Sequence, residues 1–440
     1  HKDLGPGEYA VRISTYTAAV NEQYLLNVSF EEIDVHAKLG IPEGATPWER
    51  IASAMIQVPC DTTVSISATS ANLHRLALQS FDDGPGPREM AISGNLLLAT
   101  RIDGFTAVDI SDPANPQALE HYSAAQGFTR DIKFSPDNQT AILASHDAID
   151  IVDIRDPTNP VRSGRWTSDD APIPQSYAGG NMHMVFPARI AGVDWVFVAS
   201  QSSTGVWVMR LEGPPEARNL TYVTATLPVK GGPQGPHDVF VEFDEDRGQW
   251  LLYSADIFEG WTVYDVSAPA TPRLVSVVPN LDGTATHSAQ PAKVGQRRLV
   301  VTATEGGVDV LKVYDATVLE RPVLIAYWTK RIGAEIFEAQ HNIQIVGGRL
   351  YLAHYANGLF VFDLTTLPAT AAEEIRPIAH YMGSHEMRAP TGSIGIGFWD
   401  IVLQDGILYS GVHAGDFEVG LHVVAFGCIR PGDPAQTSRA

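Results

Sequence analysis

Residues 341–364 read HNIQIVGGRLYLAHYANGLFVFDL. Two runs of alternating apolar side chains, His341 to Val346 and Arg349 to His354, flank a Gly347-Gly348 turn, which predicts a hairpin. A third run, Gly358 to Leu364, follows at once, and Ile378-Ala-His-Tyr381 supplies a fourth after a polar segment. Four short strands joined by tight turns predict one small antiparallel sheet.

The third run is a refrain. It occurs as Gly104-Phe-Thr-Ala-Val-Asp109-Ile110 with Ser111-Asp112-Pro113-Ala114-Asn115-Pro116, and as Ile149-Asp-Ile-Val-Asp153-Ile154 with Arg155-Asp156-Pro157-Thr158-Asn159-Pro160. It returns at 260–266 with Pro269 and Pro272 behind it, and in weaker copies at 205–210, 310–315 and 420–425. With the copy at 358–364 this makes seven. Two strand-like runs precede every copy. Three or four short strands repeated at intervals of roughly 45 to 55 residues are the pattern of propeller blades. A single blade cannot bury both faces, so it needs a neighbour on each side. Proline cannot donate to a strand ladder, so the Asp-Pro-x-x-Pro segments belong at exposed blade edges.

The expected fold is therefore all-β: a seven-bladed β-propeller over 73–428, an N-terminal appendage over 1–72, and a tail over 429–440. Blades begin near Arg88, Arg130, His183, His237, His287, His341 and Trp399. The last has three strands before Phe426, so Leu73–Ser80 is expected to close the ring as its fourth. The appendage reads as strand-like from Glu8 to Asp34, then as a helix opened by Thr46-Pro47-Trp48-Glu49 in capping-box order. The two cysteines, Cys60 and Cys428, lie just beyond the closing strands, where a disulfide would staple the ends; free thiols are the other reading.

Carboxylates outnumber Lys and Arg by 51 to 30, a formal charge of −21. Such a surface repels phosphate backbones and anionic lipid, which argues against nucleic-acid and membrane partners. No apolar run approaches the roughly 20 residues that span a bilayer. The opening His1-Lys2-Asp3-Leu4-Gly5 is not a signal peptide. Three Asn-x-Ser/Thr sequons, at Asn27, Asn138 and Asn219, are near the chance number for this length.

Aligned on their alternation, the first strands share one column: Arg88, Arg130, His183, His237, His287, His341 and Trp399. Four consecutive blades place histidine there, 54, 50 and 54 residues apart, out of 14 histidines in the chain. The innermost strand of a propeller lines the axis, so the column should converge at one mouth. Neutral imidazole is a ligand for zinc, copper, iron and nickel. One transition-metal ion on His183, His237, His287 and His341 is the sharpest reading, with all-nitrogen ligation favouring copper or iron over zinc. A wet polar hub and an anion site remain open beside it. Arg88 and Arg130 in the same ring suit an anionic small-molecule substrate. The second strands return to this mouth with Arg101, His146, Gln201, Asp256, Glu305 and, one step off, His354 and His413. Asp256, Glu305 and His354 are the candidates to support the metal ligands or take part in chemistry. Asp131, Asp238, Asn342 and Asp400 follow the column directly, and strict alternation turns them away from the channel, between blades.

Other motifs carry less. His1 could chelate copper through amine and imidazole, though a frayed end explains it. Gly231 to Pro236 lacks the lysine and helix of a phosphate loop, and no Gly-x-Ser-x-Gly elbow occurs. Ser288 after His287 makes no triad. No pair of carboxylates for glycoside hydrolysis can be placed. A metal-dependent oxidoreductase, a non-catalytic surface propeller for a partner, glycan or metal, and a polysaccharide lyase using hub His and Arg are all compatible with the column.

"VDISDPANP", "VDIRDPTNP" and the 341–364 segment resemble the LVIVD-repeat family of bacterial and archaeal secreted or surface propellers, over roughly residues 85 to 426. The resemblance implies the propeller and an extracellular, cell-surface or periplasmic location with any leader removed. It implies no reaction. At the level of single repeats the chain is also similar to selenium-binding-protein/methanethiol-oxidase propellers, a family linked to copper.

Overall fold

The computed structural model describes residues 8–14, 23–29, 73–81, 86–124, 128–167, 169, 181–201, 203, 205–226, 235–305, 310–329, 340–368, 372–381, 397–413 and 419–426. The predicted helix at 46–49 and both cysteines, Cys60 and Cys428, lie outside them, as does His1. From the appendage, Glu8–Ser14 and Gln23–Ser29 pair as an antiparallel hairpin.

Seven antiparallel sheets form the seven blades. Their innermost strands are Met90–Ser93, Thr129–Phe134, Met182–Ile190, Pro236–Asp244, Thr286–Val294, Ile343–Val346 and Phe398–Gln404, for blades 1 to 7 in chain order. The closing strand is the expected one: Leu73–Gln79 pairs antiparallel with Gly420–Phe426 as the outermost strand of blade 7. Blade 6 takes Ala379–Tyr381 as its fourth strand, and Glu373–Glu374 adds a short parallel fifth to blade 5.

The repeat phrase has a local reason at each position. Its apolar residues form third strands buried on both faces: Phe105, Ala107 and Val108 in blade 1, Ile149, Ile151 and Val152 in blade 2. The aspartate that ends the phrase folds back on the chain. Asp109, Asp153, Asp265, Asp315 and Asp363 each accept the amide of the residue two further on, at 2.8–3.1 Å. These Asx turns release the chain from the ladder. The glycine that opens the phrase leaves room for the fourth strand. A Cβ on Gly104 would collide with the Tyr122 carbonyl, and one on Gly260, at φ +105°, with that of Val278.

Burial follows the ring. Seven apolar clusters are found among the described residues, one between each pair of neighbouring blades. Trp166 and Trp207 meet between blades 2 and 3. Tyr409, Leu421 and Val423 of blade 7 pack on Met90 and Leu97 of blade 1, and this seam completes the circle. Each blade therefore buries both faces, as a repeat too thin to hold its own core requires.

Candidate metal centre at the channel mouth

Most of the hub residues sit at a break in their ladder. The pairing of the first two strands skips Arg130, His183, His237 and His287, each the extra residue of a β-bulge, and a fifth irregularity spans Trp399 and Asp400. A bulge adds a residue and re-aims the side chains around it. It turns two consecutive residues towards the axis. Of the four residues expected to point away from the channel, Asp238, Asn342 and Asp400 instead line an axial cavity of about 350 Å³, with Glu89 and Ser288 beside them, while Asp131 is not among its lining residues. Two of the aspartates also tie blades together as expected, Asp131 accepting the Val185 amide and Asp400 that of Met90, both at 2.8 Å.

The column converges into a ring. Imidazole centroids are 3.7 Å apart for His183 and His237, and 4.3 Å for both His237–His287 and His287–His341. Trp399 continues the arc 4.7 Å from His341. The Arg88 guanidinium lies 4.7 Å from the Trp399 ring and 3.8 Å from Phe128, and Arg130 lies 5.1 Å from the Phe128 ring.

The imidazoles are oriented by oxygen on one side. His183 Nδ1 lies 3.2 Å from the His237 carbonyl, and His341 Nδ1 lies 2.7 Å from that of Trp399. His237 Nδ1 meets Asp238 Oδ1 at 3.2 Å, and His287 Nδ1 faces Asp238 Oδ2 at 3.4 Å. For His183, His237 and His341 a proton on Nδ1 satisfies these acceptors and puts the lone pair at Nε2, and the same tautomer would turn the His287 proton towards Asp238. Opposite lies Glu305, whose Oε2 is 3.8 Å from His237 Nε2 and 3.6 Å from His287 Nε2. The structure thus brings His237, His287 and Glu305 into one compact group, and His183, His237 and Asp238 into a second. His341 belongs to neither, although its ring touches that of His287.

A carboxylate stands among the imidazoles, beside the four histidines that the sequence offered as ligands. Burial pushes His237, His287 and His341 below the usual imidazole range, so they are neutral near pH 7. Burial alone would raise Glu305, but His287, His341 and His237, with the Tyr355 hydroxyl, bring it down to about 2. Asp238 is likewise held well below its ordinary value against the pull of burial, by His287, His183 and His237.

The remaining candidates divide. Arg88 and Arg130 stand at the mouth; Arg88 Nη2 donates to His413 Nε2 at 2.6 Å, and Arg130 Nη2 to Asn181 Oδ1 at 3.3 Å. Among the described residues no carboxylate forms an ion pair with either guanidinium, and the buried Nε of each has no hydrogen-bond partner. Asp256 stands outside both groups: it faces its own Ser254 hydroxyl at 3.5 Å, and burial raises it to about 7. His354 turns away from the ring, packing on Trp328 and Phe360 at 5.8 and 5.7 Å. Tyr355 takes the mouth instead. Its φ of +38° is a strained value for an aromatic residue, and its hydroxyl donates to Glu305 Oε1 at 2.5 Å. Its ring lies 5.0 Å from that of His341. Asp238 and Tyr355 are the two residues that the sequence reading did not place at the site.

The LVIVD repeat model matches residues 88–124 and 142–168, in blades 1 and 2. Among solved structures, the chain is similar to Saccharomyces cerevisiae Sqt1, with 8% identity, a TM-score of 0.50 and coverage of 76% of this chain and 82% of that one. It is also similar to Chaetomium thermophilum Raptor, with 13% identity, a TM-score of 0.53 and coverage of 81% of this chain and 29% of that one. At such identities the likeness is one of fold alone. No curated protein matches the chain in sequence. The chain thus carries two segments that match the LVIVD repeat and folds as a seven-bladed β-propeller.

Proposed function

We propose that the channel mouth binds one transition-metal ion and that the protein acts as a metal-dependent oxidoreductase on a small anionic substrate. His237, His287 and Glu305 form the core of the ligand set, with His183 and His341 flanking it. The observation that carries this reading is the uniform orientation of the four imidazoles. Every Nδ1 faces a carbonyl or carboxylate oxygen, which leaves the four Nε2 lone pairs for a ligand. Metal-binding histidines are characteristically oriented in this way. His287 is fully buried and neither ring nitrogen makes a well-formed hydrogen bond, a state that coordination relieves.

Imidazole with carboxylate suits iron first, then copper, and accepts zinc. When bound, the ion supplies Lewis acidity and, for iron or copper, one-electron chemistry. The protein's own part is positional. Asp238 accepts from His237 and faces His287, Tyr355 holds Glu305, and Arg88 with Arg130 offers positive charge to a carboxylate or phosphate. Burial and the nearby Arg130 bring Arg88 down to about 10, still cationic at neutral pH. Location outside the cytoplasm belongs to the same proposal and rests on the LVIVD repeats.

The test is turnover. Protein loaded with iron or copper should consume dioxygen or peroxide with a small organic acid, and His287→Gln should abolish this. Stoichiometric metal without turnover across a panel of such acids would leave a non-catalytic metal-binding propeller.

A further inference from the structure

The axial cavity lies beneath the imidazole ring and shares one residue with it, Asp238. Its volume of about 350 Å³ falls within the range of small-ligand pockets. Its wall is chemically divided. Blades 3 and 4 present Met184, Phe186, Val239 and Phe240, with the two phenyl rings 4.9 Å apart. Blades 5, 6, 7 and 1 present most of the oxygen, among smaller apolar groups, and Asp238 of blade 4 adds a carboxylate at the imidazole end.

On that polar side the acceptors exceed the donors. Glu89 and Asp400, both buried, share the Asn342 side-chain amide at 2.7 and 2.9 Å. Ser288 lines the cavity at 6% exposure, and its hydroxyl has no hydrogen-bond partner. The Oε1 atoms of Gln290 and Gln344 are buried and equally unpartnered. The single ammonium in the wall, Lys133, is already bonded to Asp131. Buried acceptors without donors carry an uncompensated desolvation cost. Burial, with Asp400 and Asp131 nearby, also pushes Glu89 well above the usual carboxylate range. A guest that brings N–H donors and positive charge offsets both. A bare hard cation is a poorer match, since it needs six or more oxygens gathered around it and blades 3 and 4 present mainly hydrocarbon here. Phe186, Phe240, Gln290 and Gln344 are only half-buried, which leaves the cavity open on the side away from the imidazoles.

We propose that this cavity is a second binding site, for a small primary ammonium on a hydrocarbon body. The ammonium head points to Glu89, Asp400 and the two glutamine oxygens, and the body lies against Phe186 and Phe240, where aromatic faces favour both hydrocarbon and cation. The site goes beyond the metal reading and does not depend on it.

The experiment titrates the metal-free full chain at pH 7 with 2-phenylethylammonium, by calorimetry and protein-observed NMR, and with the uncharged 2-phenylethanol alongside. The amine should saturate one site, and the alcohol should bind about tenfold more weakly or less. Asp400→Asn should weaken the amine about tenfold with the circular dichroism spectrum unchanged. Phe240→Leu, which keeps the core filled, should weaken amine and alcohol together. Equal binding of amine and alcohol, or no saturable binding of the amine to folded protein, would overturn the proposal. Because no metal is present, neither result bears on the metal centre.

Discussion

His237 directs Nδ1 at the carboxylate of the very next residue, Asp238, at 3.2 Å, and the same carboxylate faces Nδ1 of His287 at 3.4 Å. One aspartate therefore bonds one imidazole, which leaves that ring's lone pair at Nε2, and faces the imidazole of the next blade.

Asp238→Asn keeps the shape of that side chain and removes its charge. It should lower metal affinity 10- to 100-fold, the usual cost of losing such a partner. Competition with a chromogenic chelator measures this. Unchanged affinity would mean that the rings are held by other contacts.

Tyr355→Phe removes one hydroxyl and keeps the ring against His341. Glu305 then loses its 2.5 Å donor. Metal affinity should fall by about tenfold, and the acid limb of any pH–rate profile should move upward, because the carboxylate loses a group that keeps it ionised. A variant with an unchanged profile would reduce Tyr355 to packing.

The metal-free protein should become less stable as pH falls from 7 to 5. His237, His287 and His341 are lowered by burial, so the unfolded chain binds protons first, below the ordinary imidazole value of about 6.5. Their contribution is present above that pH and is lost as pH falls through the folded values. Glu305, lowered to about 2, adds a loss in the same direction below about pH 4.3. Thermal melts across pH 4–8 measure the slope, which His287→Gln should flatten between pH 5 and 7.

Much of this molecule was legible in its sequence, because propeller blades repeat and repetition makes alignment possible within one chain. The Asp109, Asp153 and Asp265 turns mark strand exits, and the shortage of a fourth strand after Phe426 points to Leu73–Gln79. The hub column was readable for the same reason. What alternation could not show is the bulge. At His237 and Asp238 it places neighbours on one side of the strand, where a regular strand separates them. A similar local departure, the positive φ of Tyr355, brings that residue to the mouth and leaves His354 between blades.

Core packing between blades is open to a direct check. Trp207 is 2% exposed and meets Trp166 edge-on across the seam between blades 2 and 3. Trp207→Ala should cost about 3–5 kcal/mol, read by chemical denaturation, whereas Leu281→Ala at an 88% exposed position should cost little.

The central claim is the metal centre, and elemental analysis of protein purified without a histidine tag or chelator tests it most directly. About one iron or copper per chain, lost in His237→Ala while the fold persists, is the predicted result. No transition metal in the purified protein, and none after reconstitution with iron, copper or zinc, would contradict it.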